Sequence, residues 1–445
     1  MSNPISRRLF LKSTGAAAMG GLLAACSEGS SSAVVSPADG SISLTLSWWG
    51  DDSRHAAYQE ALAAFSRAYS NLSVTPFSGT WEDWAGTMSA KLSSGTAEDV
   101  CQIPWNWLPR YAGTQTFLDL QTVSDYLDLS QWDQQALSAC RTTEGLLAVP
   151  MATTGRIFYW NLNLLHQAGI TQIPLTLEDL YAAGEAFQTQ LGEDFYPLYL
   201  DGYGRMALMV FYLESVYGQP WADPKTFTLN YSLQQVIEGL DFIKDLVDHH
   251  VLMSMPVYYG TNGDVPVHQS IQWTTGKLGG VFEWDTDAAR YRAALDEDSR
   301  DSFTVGEEIQ MGEYKGGFTR VSMAMAIPHS CQHPAEAAML VDFLLNQEAG
   351  AAILGSACGI PASRSGLAAA QAAGTLDPLM EQAHSKVLAS CLFSSDPLFE
   401  DDSLASSGGI YQQVFETIDY DGLSGAAVAK DLSAGMQAAG YTTSF

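Results

Sequence analysis

The residues best suited to chemistry in this chain are its tryptophans and the polar side chains beside them. Six of the eleven tryptophans fall in close pairs (Trp48 with Trp49, Trp81 with Trp84, Trp105 with Trp107), and Trp284 is followed directly by Asp285. An indole ring covers the apolar C–H face of a sugar, while carboxylates, amides and guanidinium groups hydrogen-bond the hydroxyl rim. Asp51, Asp52, Arg54, Gln102, Asn106 and Asp285 are placed to serve that rim. For each tryptophan the alternative is a core position, and Asp51 or Asp52 can instead cap a helix. Motifs for bond-making chemistry are absent: there is no Walker A loop, HExxH, GxSxG or EF-hand loop. Gly202-Tyr203-Gly204-Arg205-Met206-Ala207 fits a relaxed dinucleotide fingerprint but has no clear βαβ unit around it. His249 and His250 are adjacent at a helix end and diverge, so no metal site is expected there. No cofactor is expected.

The elements that must carry these residues follow from periodicity. Ile42, Leu44 and Leu46 alternate with polar residues and predict a strand running into Trp48-Trp49-Gly50. Tyr58, Ala61, Leu62, Phe65 and Tyr69 predict a helix from near Ser53 to before Asn71. Leu72–Thr75 reads as a second strand, Trp81–Leu92 as a helix, and Asp99–Ile103 as a third strand. This β-α-β-α-β order indicates a mostly parallel, doubly wound α/β sheet. Ligands of such sheets gather beyond the carboxyl ends of the strands, where the paired tryptophans fall. Further on, Leu146–Pro150 reads as a strand ending in proline, Thr176–Gln190 and Leu233–His249 as helices, and Leu278–Phe282 as a strand. Pro334–Leu345 reads as a helix, a short one follows, and the Ala-rich last third is mostly helical.

The chain has 445 residues, 50 acidic and 21 basic, for a net charge of −29. A surface this acidic repels phosphate backbones and excludes nucleic acid as a partner. The apolar fraction of 47% excludes global disorder. Ser6-Arg7-Arg8-Leu9-Phe10-Leu11-Lys12 resembles a twin-arginine export signal, and Leu23-Ala24-Ala25-Cys26 resembles a lipoprotein cleavage box. Residues 1–25 are therefore expected to be a signal peptide, Cys26 a lipid-attachment site, and 26–40 a Ser/Ala/Gly-rich tether. The apolar run before Cys26 is too short to span a bilayer, so the membrane is reached only through the lipid anchor. Removal of residues 1–25 leaves 18 basic against 50 acidic side chains. Cys101, Cys140, Cys331, Cys358 and Cys391 remain, an odd number, and Cys331 with Cys358 is the best candidate pair.

Taken in order, several segments resemble the extracytoplasmic solute-binding proteins of carbohydrate ABC transporters, in the maltose-binding-like group. They are Trp48-Trp49-Gly50-Asp51-Asp52, Glu98-Asp99-Val100, Gly145-Leu146-Leu147-Ala148-Val149-Pro150, Trp160-Asn161, Ile327-Pro328 to Leu345, and Gly359-Ile360-Pro361-Ala362. The resemblance implies a two-lobed type II periplasmic-binding-protein fold, with residues 41–152 and 317–362 in lobe one and 153–316 and 363–445 in lobe two. It implies a monomer that captures a sugar, an oligosaccharide by preference, in the interlobe cleft and passes it to the transmembrane permease subunits. Carried over by position, Trp49, Asp52, Arg54, Trp81, Gln102 and Trp105 come from lobe one. Tyr203, Trp221, Trp284, Asp285 and Tyr314 come from lobe two, with Arg364 near a crossover. A lipid-anchored glycoside hydrolase and a binding protein for a non-sugar solute are the alternatives.

Overall fold

The computed structural model describes residues 41–444. The expected export signal, lipid-attachment Cys26 and tether fall in residues 1–40, outside the described residues.

The N-terminal third follows its periodicity closely. Strands β1 (Ile42–Trp49), β2 (Leu72–Gly79) and β3 (Val100–Ile103) are separated by helices α1 (Asp52–Ala68) and α2 (Trp81–Ser94). β1 lies between β2 and β3, and both pairings are parallel. Both helices start at side-chain caps: the Asp51 carboxylate accepts from the Arg54 amide, and the Thr80 hydroxyl from the Asp83 amide. Such caps satisfy orphan N–H groups and stabilise a helix by about 1 kcal/mol each. α2 stops at Gly95, whose φ of 70° is left-handed backbone that glycine adopts at little cost.

A long strand, β4 (Val149–Asn161), then runs through the molecule. Further strands are β5 (Gly280–Trp284), β6 (Phe303–Val305), β7 (Phe318–Ala326) and β8 (Phe393–Ser394). The sheet order is β2-β1-β3-β7-β4-β5, with β6 beside β4 and β8 beside β7. β4 is antiparallel to β7 over its first half and to β5 and β6 over its second. Proline does not end this strand. Pro150 pairs with Ala324, and the register then breaks on either side of Ala152. A bulge tolerates a residue without an N–H, so the chain passes through.

Buried apolar side chains form two large clusters. One draws on β1, β2, β3, the start of β4 through Met151, the end of β7 from Val321, and the helix Pro334–Leu345. The other takes the far half of β4 from Ile157, together with β5, β6 and α3 (Gly202–Tyr217). It also includes the C-terminal helices Ile410–Asp421 and Gly425–Ala439. β4 and β7 therefore serve both cores. A third crossing lies beside them, where Ala362 N donates to Met151 O (2.9 Å) and Pro361 bridges Ala152. Gly359 approaches here with φ 90°, and a Cβ on it would sit 2.9 Å from that of Ala152. The five described cysteines are all free thiols. Cys331 and Cys358 do not pair, because Cys358 is buried beside Tyr58 and Arg54 while Cys331 lies near Asp99 and His333.

Candidate functional site

Two aromatic groups stand at the ends of the strands. The first is built by β1, α2 and the turn Trp105–Trp107. Trp48 and Trp49 are adjacent strand residues and so point to opposite faces. Trp48 is fully buried, stacked on Tyr58 at 4.4 Å, with its Nε1 donating to His55 Nδ1 (3.0 Å). Trp49 turns the other way, to Trp81 (5.1 Å) and Trp84 (4.7 Å). Trp84 continues the chain of rings to Trp107 at 5.8 Å. Trp84 and Trp107 are buried, Trp49 is half-buried, and Trp81 is 41% exposed.

The second group gathers around Trp284 at the end of β5. The Arg320 guanidinium lies 4.3 Å from the ring centre, that of Arg156 5.1 Å, and the Tyr203 ring 6.1 Å. Each arginine has a carboxylate partner: Glu283 for Arg156 (3.2 Å) and Glu400 for Arg320. The Tyr203 hydroxyl also donates to Glu400 (2.9 Å). Tyr203 opens α3, and its neighbouring glycines explain the fingerprint-like spacing. A Cβ on Gly202 would fall 2.5 Å from the Gln412 backbone, and one on Gly204 3.0 Å from Arg156 Nη1. The glycines make room for packing and owe nothing to a nucleotide.

Burial works against the charge of Arg156, but Glu283, Tyr203 and Asp201 outweigh it and hold the guanidinium more basic than usual. Burial likewise pushes the Glu283 carboxyl above the ordinary carboxylate range, against the pull of Arg156. The two cores meet beside this cluster, where Asn106 Nδ2 donates to Glu400 O (3.0 Å) and Gln135 Nε2 to Ser394 Oγ (3.0 Å). A groove of about 290 Å³ opens there. Trp105, Asp133 and Gln135 line one side, Thr153 and Arg320 the crossing strands, and Leu392 and Ser394 the other side.

The remaining expected residues are placed differently. Arg54 spends its guanidinium on the carbonyls of Ala357 (2.8 Å) and Trp49 (3.2 Å). Gln102 is fully buried, accepting from the Tyr58 hydroxyl (3.0 Å). Asp285 is fully buried between Thr154 Oγ1 (2.5 Å) and His384 Nδ1 (2.7 Å). Asp52 is exposed in the first turn of α1. Trp221 is a core residue, stacked on Tyr231 at 5.6 Å and remote from the Trp284 group in its contacts. Tyr314 is 52% exposed and lies over Gly218. Arg364 is exposed and donates to the Ser130 carbonyl. The structure thus joins Trp49 to Trp81, Tyr203 to Trp284, and Trp105 to the Arg320 groove. Sequence reasoning missed Arg156, Arg320, Glu283 and Glu400. The only signal for Arg156 was a charge directly before the apolar run Ile157–Trp160, where a buried charge must find a partner. Among the described residues no group of three or more His, Cys, Asp or Glu side chains is arranged to hold a metal ion.

Residues 51–351 match the family model described as bacterial extracellular solute-binding protein. The chain belongs to that family. Among solved structures it is similar to a periplasmic solute-binding protein from Pectobacterium atrosepticum, at 28% identity and TM-score 0.82, covering 89% of this chain and 98% of that one. It is also similar to a periplasmic oligogalacturonide-binding protein from Yersinia enterocolitica, solved with saturated digalacturonic acid. There the identity is 28% and the TM-score 0.78, with 89% of this chain and 98% of that one covered. A family 1 extracellular solute-binding protein from Alicyclobacillus acidocaldarius shares the fold at 18% identity and TM-score 0.68, covering 90% of this chain and 98% of that one. The fold of this family member is the α/β, type II periplasmic-binding-protein one. The family and these structures are binding proteins, and a groove of aromatic and hydrogen-bonding side chains suits that role.

Proposed function

We propose that the protein captures an oligosaccharide in the groove between its two cores and hands it to the transmembrane subunits of an ABC permease, without altering it. The observation that carries this is the joining of indole rings to hydrogen-bonding groups at the groove: Trp105 on its wall, and Trp284 behind Arg320. Support comes from family membership and from the oligogalacturonide ligand of the Yersinia protein. The lobes are taken as residues 41–152 with 317–362, and 153–316 with 363–445, a division supported by the partition of the buried clusters. The protein acts as a monomer outside the cytoplasm, held to the membrane by a lipid on Cys26; Leu23-Ala24-Ala25-Cys26 supports this. Tethering raises its concentration near the permease.

A thermal-shift screen over mono- and oligosaccharides tests the reading. A ligand that binds only the native state raises the melting temperature, by about 2.7 kcal/mol of stabilisation at 100 times Kd. The expected outcome is a shift with at least one oligosaccharide and no release of reducing sugar from it. A panel without any shift removes the sugar; release of product turns the binding protein into a hydrolase.

A further inference from the structure

The oligosaccharide reading leaves the chemistry of the sugar open, and the charged groups at the groove narrow it. We propose that the ligand is acidic, a chain of uronate units one of whose carboxylates is received by Arg320, with Arg156 packed behind on the same indole. This rests on the oligosaccharide reading.

Two cations share one indole in a protein with 50 acidic and only 21 basic residues. Arg320 stands on the groove wall itself. Its Nη1 donates to the carbonyls of Val321 (3.1 Å) and Ser322 (3.3 Å), which fixes the plane of the fork, while its Nε side is paired with Glu400. Arg156 is 5% exposed; its Nη1 is held by Phe282 O (2.9 Å) and its Nη2 by Glu283. Its Nε is buried without a hydrogen-bond partner, and so is Nε1 of Trp105 on the groove wall. The unmet groups are therefore donors. A sugar hydroxyl can accept but also carries a donor that needs its own partner, whereas a carboxylate only accepts, and it matches the guanidinium fork in two parallel bonds.

Glu400 is an internal stand-in for the ligand's carboxylate, and Glu283 pairs with the Arg156 behind it. Each neutralises one arginine, so neither guanidinium is left as an unpaired buried charge. Glu400 is the replaceable one: it lies on the short turn Pro397–Glu400, its side chain is partly exposed, and its carbonyl and carboxylate already touch Asn106 and Tyr203. A uronate arriving at Arg320 exchanges one carboxylate for another and returns Glu400 to solvent. Asp133 on the facing wall and Asp201 and Asp287 near Arg156 repel an anion placed elsewhere, so the charges also set its register.

The test is calorimetric titration of the full mature protein with diuronates (galacturonate, glucuronate, mannuronate) and their methyl esters. Each ester keeps the shape and removes the charge. We expect at least one diuronate to bind roughly 10- to 100-fold more tightly than its ester, the range of a charge-assisted hydrogen bond. Arg320→Gln should abolish that ratio while the ester's affinity is retained, with the apo melting temperature as the check on folding. Glu400→Gln should tighten the acid by removing its competitor. Equal binding of acid and ester, or a neutral oligosaccharide binding where no diuronate does, overturns the acidic ligand and leaves the oligosaccharide reading standing. No binding by any sugar overturns both.

Discussion

The tryptophan group at the ends of β1 and β3 and the group around Trp284 use the same ring for opposite ends. In the first, indoles pack on indoles: Trp49, Trp81, Trp84 and Trp107 satisfy one another, and only Trp81 presents much surface. In the second, one indole supports two guanidinium groups, two carboxylates and a phenol. Apolar packing is non-directional and tolerates partial wetting, so the first group is a surface with a built-in foundation. A buried ionic network is directional and all-or-none, so the second is an instrument that reads charge and position.

The sharpest break between them should come from removing one member of each foundation. Arg156→Ala leaves Glu283 buried without its cation, and the expected loss is about 3–5 kcal/mol of stability, measured by urea unfolding. Trp84→Ala should cost a similar amount, about 3–5 kcal/mol, but through a cavity. The two are told apart by pH: only the arginine variant should regain stability as Glu283 is protonated. An Arg156→Ala protein as stable as wild type would show that the network is wet.

The next effect separates foundation from surface. Trp81→Ala and Trp284→Ala should each weaken the ligand by about 1–3 kcal/mol, a five- to 150-fold loss, if both rings stack on it. Trp81→Ala should barely change the apo melting temperature, because the ring is already 41% exposed. Loss of affinity in only one variant would assign the ligand to one group.

The smallest effect is a slope. Burial pushes Glu214 up to about 8 and Asp396 up to about 6, and Glu283 is raised too. In the unfolded chain these carboxyls lose their protons near pH 4. Between pH 5 and 8 the folded state therefore holds more protons than the unfolded one, and stability should fall as pH rises. Melting curves across that range check the sign, and a rise with pH would contradict it. The tryptophan group contributes nothing to this slope.

How much of this could be read from the chain alone varied with the element. β1-α1-β2-α2-β3 was legible because apolar residues recur at the right period and Asp51 and Thr80 mark the starts. α3 was not, because Met206 to Leu213 is apolar on every side and leaves no stripe to detect. β7 was missed because Thr319, Arg320 and Ser322 interrupt its apolar run. The paired tryptophans do stand at strand ends, as their positions indicated, while the buried Trp221 shows that an indole by itself does not distinguish core from site. Arg156 and Arg320 belong together only because β4 and β7 are neighbours, with Gly155 opposite Thr319. Pairing at that separation in sequence leaves no local trace. Arg54 was expected at the ligand from its place after Trp49-Gly50, and nothing local announced that its guanidinium also ties the carbonyls of Trp49 and Ala357 together.

The register break at Ala152 has a mechanical meaning. If the two cores rock about it, Arg156 lies close to the pivot, four residues along the same strand. At ~3.3 Å per residue the guanidinium's backbone is ~13 Å from the pivot, so a rocking of about 10° displaces it by only about 2 Å. Any group farther from the pivot would sweep a proportionately longer arc. Such a rocking would widen the mouth of the groove while the ion-paired arginine beside the pivot stays almost in register, as a balance keeps its knife-edge still while its pans move.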